Sequence, residues 1–315
     1  MDIILLIIGF VLLIKCADIF VDGCSNIAKF LGIPTLIIGL TIVAFGTSAP
    51  EAAVSLSAAL KGNNAISIGN VVGSNIANLL LILGSCSAYA CIKTEKKVVK
   101  RDFVFALIAA AMLLLMVCPA FISGATTAFL GRFCGIIFLA TLGYYIYLLS
   151  KDAKKESEAS KEKEERRKFN FKDIIFILVG IAGIILGGQL VVDSAVALAK
   201  AIGVTDHVIA LTVVAIGTSL PELVTSIVAT RKGEIDIAIG NVIGSNIFNI
   251  LFILGITSLV CPLAVVTVSL IDIIIMLAIS IIVFLFMHKK YELRRWQGVV
   301  MLLMYVSYMA FVLIR

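Results

Sequence analysis

The chain has 315 residues, 61% of them hydrophobic and 15% charged, with a formal net charge of +6 and a mean hydropathy of +1.13. A soluble domain carries about 45–50% apolar and about 25% charged residues, so this composition lacks the polar surface to cover a globule in water. It excludes soluble enzymes and nucleic-acid-binding proteins and specifies an integral membrane protein, partnered by the lipid bilayer, with its basic residues in loops between apolar stretches.

The N-terminus, MDIILLIIGF, has an acid where a secretory signal would have a basic region, so it reads as a retained first span. Apolar runs bounded by polar residues, Gly or Pro predict ten spans near 3–22, 35–60, 66–90, 102–119, 127–149, 171–195, 206–230, 237–261, 265–287 and 296–314. Between the fifth and sixth, Lys151 to Lys168 holds fourteen charged residues in eighteen, which reads as a solvated linker or frayed helix without a core of its own. Seven cysteines, at 16, 24, 86, 91, 118, 134 and 261, form no CxxC pair and read as small apolar residues, not as a disulfide frame or metal site. With the N-terminus outside, 21 of the 26 Lys and Arg fall on the cytoplasmic side, four fall outside and Lys15 lies in the first span. The positive-inside rule therefore predicts a multi-pass protein of the cell (inner) membrane with both termini outside. Trp296, beside Arg294 and Arg295, suits an interfacial anchor.

An internal duplication dominates the pattern. LTIVAFGTSAPE (Leu40 to Glu51) returns as LTVVAIGTSLPE (Leu211 to Glu222), and GNVVGSNIANLLLILG (Gly69 to Gly84) returns as GNVIGSNIFNILFILG (Gly240 to Gly255), both after 171 residues. Over Gly39 to Gly84, 27 of 46 positions are identical to their counterparts. Each copy holds five spans, an odd number, so the second crosses the membrane inverted, as in secondary transporters whose sites lie at the midplane on interrupted helices. The expected fold class is an all-α membrane protein of ten transmembrane helices in two inverted five-helix repeats with broken central helices. Residues 1–150 form the first repeat, 151–170 a charged cytoplasmic linker and 171–315 the second repeat. Packing accounts for the shared apolar residues but not for the shared Thr47, Ser48, Glu51, Ser74, Asn75 and Asn78, since polar groups in hydrocarbon are costly.

Pro50 has no N–H for the carbonyl of Gly46 and disfavours helical angles at Ala49, and Pro221 acts alike on Gly217 and Leu220, so both helices should open there. Thr, Ser and Asn around the openings offer hard neutral oxygens, and Glu51 with Glu222 adds two negative charges, a set suited to Ca²⁺ or Na⁺. Two carboxylates brought together match one divalent ion. Lys15 is the one deep-lying base that could instead pair with a glutamate. Gly69, Gly73, Gly240 and Gly244 allow close helix approach, and Ser74 and Asn78, like Ser245 and Asn249, are four apart on one helix face.

At GTSAPE with GNVVGSNIAN and GTSLPE with GNVIGSNIFN the chain resembles the two alpha-repeats of the calcium/cation antiporter superfamily, specifically the prokaryotic sodium/calcium exchangers. The resemblance covers nearly the whole chain. It implies that Glu51 and Glu222 hold Ca²⁺ beside Thr47, Thr218 and the backbone carbonyls of Ala44 and Ala215. Ser48, Ser219, Ser74 and Ser245 would complete sodium sites, with Asn78 at the centre. Asn249 stands where potassium-dependent members have Asp, which argues against a potassium requirement. It further implies Na⁺ and Ca²⁺ as transported ions with no cofactor, and sliding of the first and sixth helices to alternate access. Two carboxylates balance one Ca²⁺ or two Na⁺, so a cycle with more than two Na⁺ per Ca²⁺ is expected to be electrogenic, and the chain is expected to function as a monomer. A calcium/proton exchanger is the nearest alternative, since two close Glu could carry protons. A cation channel would need a continuous polar pore. An intramembrane hydrolase at Ser48 or Ser219 lacks a base spaced to activate it, as His207 and His288 lie near span ends.

Overall fold

A computed structural model of the chain describes residues 2–162, 167–203 and 215–314. Helix α1 (Asp2–Leu31) leads into a broken second span, α2 (Thr35–Thr47) and α3 (Ala49–Leu60), bent by 46° at the break. Then come α4 (Asn64–Tyr89), α5 (Val98–Ile122) and α6 (Arg132–Glu162). The second half runs α7 (Phe171–Ala201), α8 (Ala215–Thr218), α9 (Leu220–Arg231), α10 (Ile235–Val260), α11 (Thr267–His288) and α12 (Arg295–Ile314). Eight of the described helices are long and apolar enough to cross a bilayer, and α2 with α3 makes a ninth span. The start of the predicted seventh span, near 206, lies outside the described residues; its remainder is α8 and α9.

The helices do open at the prolines, but at Ser48 (φ −81°, ψ 6°) and Ser219 (φ −88°, ψ 3°), one residue before the predicted Ala49 and Leu220. A proline in the first turn of a new helix removes an N–H that has no helical acceptor, so α3 and α9 restart at once. Helix α7 runs past its predicted end near 195 to Ala201, and α1 runs past its predicted end near 22, where its polar residues find partners. Asp18 and Asp22 lie 2.9 and 2.7 Å from Lys232 Nζ, Ser25 Oγ donates to Glu234 Oε1 at 2.6 Å, and Asn26 Nδ2 donates to Asp173 Oδ1 at 3.0 Å. The fifth span starts at Arg132, not 127, because Thr127–Leu130 is a strand. The first part of the charged linker continues α6 to Glu162, held by Asp152 to Lys97 (2.7 Å) and Arg101, and by Ser157 Oγ donating to the Leu31 carbonyl at 3.0 Å. Sequence patterning did not anticipate the π-helical turns at Gly39–Val43, Asn78–Leu83, Val98–Phe103 and Asn249–Leu254.

Two small antiparallel sheets report the arrangement of the halves. Strand β1 (Ile92–Lys93) pairs with β4 (Glu292–Leu293), and β2 (Thr127–Leu130) pairs with β3 (Leu263–Val266). Helix α5 separates β1 from β2 and α11 separates β3 from β4, so the sheets sit at opposite ends of the bundle. Pairing of β2 with β3 then requires an even number of crossings between them, which α6, α7, α10 and the broken α8/α9 supply. Strands β1 and β3 each follow the third span of their half, yet they lie at opposite ends, as inverted halves require.

At the centre, α10 and α4 are the most buried helices, while the other spans keep apolar side chains such as Ile3, Ile7, Leu115 and Leu303 on the outside, where lipid is the solvent. Close packing fixes α10 on α2. A Cβ built on Gly240 would come within 2.8 Å of the Leu36 carbonyl oxygen and 2.9 Å of Gly39, and one on Gly244 within 2.8 Å of the Leu40 carbonyl oxygen. Gly69 and Gly73 meet no described atom within 4 Å, so their expected close approach finds no partner among the described residues.

Gly240→Ala should destabilise the bundle by about 1–3 kcal/mol, because backbone on the facing helix cannot yield. Gly143→Ala, at a helical site with open space, should be neutral or stabilising. Thermal unfolding in detergent compares them, and equal melting points would contradict the packing assignment.

Candidate ion-binding centre

The GTSxPE break has a direct electrostatic consequence. Each proline starts a twelve-residue helix, α3 or α9, with its glutamate in the first turn. There the free N–H groups and the helix dipole favour a negative charge. Glu51 and Glu222 are both 0% exposed, and no Lys, Arg or His among the described residues lies within 4 Å of either. Lys15, the candidate base, is exposed on α1 beside Asp18, Arg231 and Lys232.

The two motifs are laced together across the halves. Ser48 Oγ donates to Glu222 Oε1 at 3.0 Å, and its counterpart Ser219 Oγ lies 3.5 Å from Glu51 Oε1. Ser74 Oγ is 3.3 Å from Glu51 Oε1 and 3.1 Å from Ser219 Oγ. Thr47 Oγ1 donates to Asn241 Oδ1 at 3.0 Å, and Thr218 Oγ1 to Asn70 Oδ1 at 3.4 Å. Thr47 Oγ1 also lies 3.5 Å from the Ala44 carbonyl oxygen, which accepts from Ser48 N at 3.1 Å. Ala215 opens the four-residue α8 as Ala44 opens the matching last turn of α2, Ala44–Thr47.

Asn78 and Asn249 are the first residues of the two matching π turns, and such widened turns are frequent at functional sites. Asn78 Nδ2 donates to Asn246 Oδ1 at 3.0 Å, and Asn249 Nδ2 to Asn75 Oδ1 at 3.0 Å. Five oxygens here are buried with no hydrogen-bond partner among the described residues: Glu51 Oε2, Glu222 Oε2, Asn78 Oδ1, Asn249 Oδ1 and Ser245 Oγ. Four can only accept in this state, and leaving so many acceptors unmatched in a dry interior is costly. Oxygens of this kind, carboxylate, amide and hydroxyl, are the ligand types that hard cations take.

In this arrangement the family model for "Sodium/calcium exchanger protein" matches residues 1–151 and 172–314. The chain belongs to that family. A relative from Methanosarcina acetivorans, sodium/calcium exchanger MaX1, is 37% identical, with 97% of this chain and 96% of the relative covered. Inner membrane protein YrbG of Escherichia coli is 38% identical over 82% of this chain and 79% of its own length. The solved sodium/calcium exchanger from Methanococcus jannaschii superposes with a TM-score of 0.82 at 28% identity, covering 98% of this chain and 97% of that one. Membership in an exchanger family leaves the hydrolase alternative without support: Ser48 faces Glu222, His288 ends α11 with its ring against Phe284, and His207 lies outside the described residues.

The structure also brings in residues that the site reading passed over. Asn70 Nδ2 donates to the Glu51 carbonyl at 3.2 Å and to Ser55 Oγ at 2.9 Å, and Asn241 Nδ2 repeats this with the Glu222 carbonyl at 3.4 Å and Ser226 Oγ at 2.9 Å. They secure each restarted helix to the neighbouring span. The signal was present in this exchanger-family chain: Asn70, Ser74 and Asn78 fall at i, i+4 and i+8, and Ser55 is one turn beyond Glu51.

Asn241→Ala should lower stability by about 1–3 kcal/mol, since it removes a buried amide that bonds the Glu222 carbonyl, Ser226 Oγ and Thr47 Oγ1. Ser226→Ala should cost less, because Asn241 keeps the Glu222 carbonyl. Unfolding of the two purified variants checks the order; a more damaging Ser226→Ala would contradict it.

Proposed function

We propose that the chain is a secondary active antiporter that exchanges Na⁺ for Ca²⁺ by alternating access, with Glu51 and Glu222 neutralising the divalent ion. The supporting observation is the pair of fully buried glutamates without a described base, each with an orphaned oxygen, beside orphaned oxygens of Asn78, Asn249 and Ser245. Hard neutral oxygens with two carboxylates match Ca²⁺ in charge and Na⁺ in ligand type. Thr47, Thr218, Ser48, Ser219 and Ser74, with the carbonyls of Ala44 and Ala215, supply the remaining neutral ligands shared between the two ions. The name of the Methanosarcina relative favours Na⁺ as counter-ion over H⁺.

Two inverted five-helix halves, 1–150 and 171–315, joined by the linker at 151–170, would exchange conformations to open the centre to either side. The charge bias places the linker in the cytoplasm and both termini outside. One chain contains both glutamates and both motifs, which supports function as a monomer. With Asn at 249 the centre balances one Ca²⁺ or two Na⁺. Any further Na⁺ in the cycle moves net charge, worth about 2.3 kcal/mol per 100 mV, and no third carboxylate calls for K⁺.

Calcium uptake into proteoliposomes loaded with Na⁺, with K⁺ or with a pH gradient alone should proceed only in the Na⁺ set, without added K⁺, and should respond to a clamped potential. Glu51→Gln and Glu222→Gln should each abolish it while the protein still folds. Acidification should inhibit in competition with Ca²⁺, because ligating carboxylates must be deprotonated. Uptake driven by the pH gradient alone, or near-normal uptake by either variant, would overturn the assignment.

A further inference from the structure

The centre depends on which end of two amide side chains faces it. A primary amide is nearly symmetric in shape and opposite in polarity at its two ends: the oxygen attracts a cation and the NH₂ repels it. Asn249 and Asn78 both turn a buried, unpartnered oxygen loose and spend their NH₂ groups elsewhere.

The orientation of Asn249 is dictated from outside the ligand set. Asn75, one residue past Ser74 and 1% exposed, points its Nδ2 at the backbone carbonyl of Asn246 (3.4 Å) and at Met276 Sδ (3.6 Å). Both are acceptors, and a backbone carbonyl cannot turn around. Asn75 Oδ1 is thereby committed to the other side, where it accepts from Asn249 Nδ2 at 3.0 Å. The second hydrogen of that NH₂ goes to Ser74 Oγ at 3.3 Å. A flipped Asn249 would set oxygen against oxygen at Asn75, so its Oδ1 can only be the free end. On the other side of the pseudo-two-fold, Asn246 Oδ1 accepts from Asn78 Nδ2 at 3.0 Å and frees Asn78 Oδ1 alike.

We propose that Asn75 is a positioning residue that sets the polarity of Asn249, so that this side chain presents its amide oxygen and not its amide hydrogens to the ion. The proposal rests on the reading of the centre as a Ca²⁺ site. It does not require Asn75 to touch the ion. Replacing Asn75 by an apolar side chain of similar size releases Asn249 to turn its NH₂ inward, which weakens Ca²⁺ binding.

A double-mutant cycle separates this from a packing role. Asn75→Leu is made in the wild type and in an Asn249→Asp background, where both ends of the side chain are oxygens and a flip changes nothing. The readouts are Ca²⁺ affinity of the purified protein by calorimetry and the KM and kcat of sodium-driven calcium uptake. In the wild type, Asn75→Leu should weaken Ca²⁺ binding about tenfold, with the loss in KM and not in kcat. In the Asn249→Asp background the same substitution should cause no loss of affinity, because it removes an oxygen–oxygen contact and leaves no amide NH₂ that could turn inward. If Asn75→Leu does not yield folded protein, Asn75→Ala carries the same cycle. An equal loss in both backgrounds, or no loss in the wild type, would overturn the positioning role while leaving the Ca²⁺ site standing. Wild-type protein that binds no Ca²⁺ would overturn the site reading, and the proposal with it.

Discussion

Two carboxylates buried in an apolar bundle, with no described base against either, are the constraint on which the rest depends. A charged group at the centre of a membrane helix costs roughly 2.5–3.5 kcal/mol even on lenient insertion scales. The fold meets that cost in part by local means: proline breaks that give each glutamate a helix N-terminus, and hydroxyls of Ser48, Ser74 and Ser219 at their oxygens. None of these removes the net charge. On the proposed reading a cation completes the arrangement, and the two buried glutamates with their orphaned oxygens are what support that reading over a structural polar cluster.

Duplication supplies the symmetry, and the halves use it by crossing over. Thr47 of the first repeat is held by Asn241 of the second, Thr218 by Asn70, Ser48 by Glu222 and Ser219 by Glu51. Each motif draws part of its hydrogen bonding from the other repeat. The same exchange occurs at the periphery, where β1 pairs with β4 and β2 with β3. A site built in this way sits on the pseudo-two-fold, equally related to both ends of the bundle, which is the geometry alternating access requires.

Much of this was legible in the residues. A repeat of odd span number implies inversion, and Pro50 and Pro221 in apolar runs imply breaks, because both follow from covalent geometry and parity. The conspicuous Glu, Ser and Thr of GTSxPE all reached the centre. What could not be read depends on tertiary contacts. The extra turns of α1 carry Ser25, bonded to Glu234, and Asn26, bonded to Asp173, both partners far away in the chain. The π turns at Asn78 and Asn249 leave no compositional trace. Asn75 sits in the same motif as Ser74 and Asn78, but its role depends on partners in the other repeat and on the direction of an amide, which sequence spacing does not encode.

Equilibrium binding of ⁴⁵Ca²⁺ to the purified protein tests the central claim most directly. The account predicts a single saturable Ca²⁺ per chain, displaced by Na⁺ and abolished when Glu51→Gln and Glu222→Gln are combined. Calcium binding that survives the double substitution with unchanged affinity would contradict it.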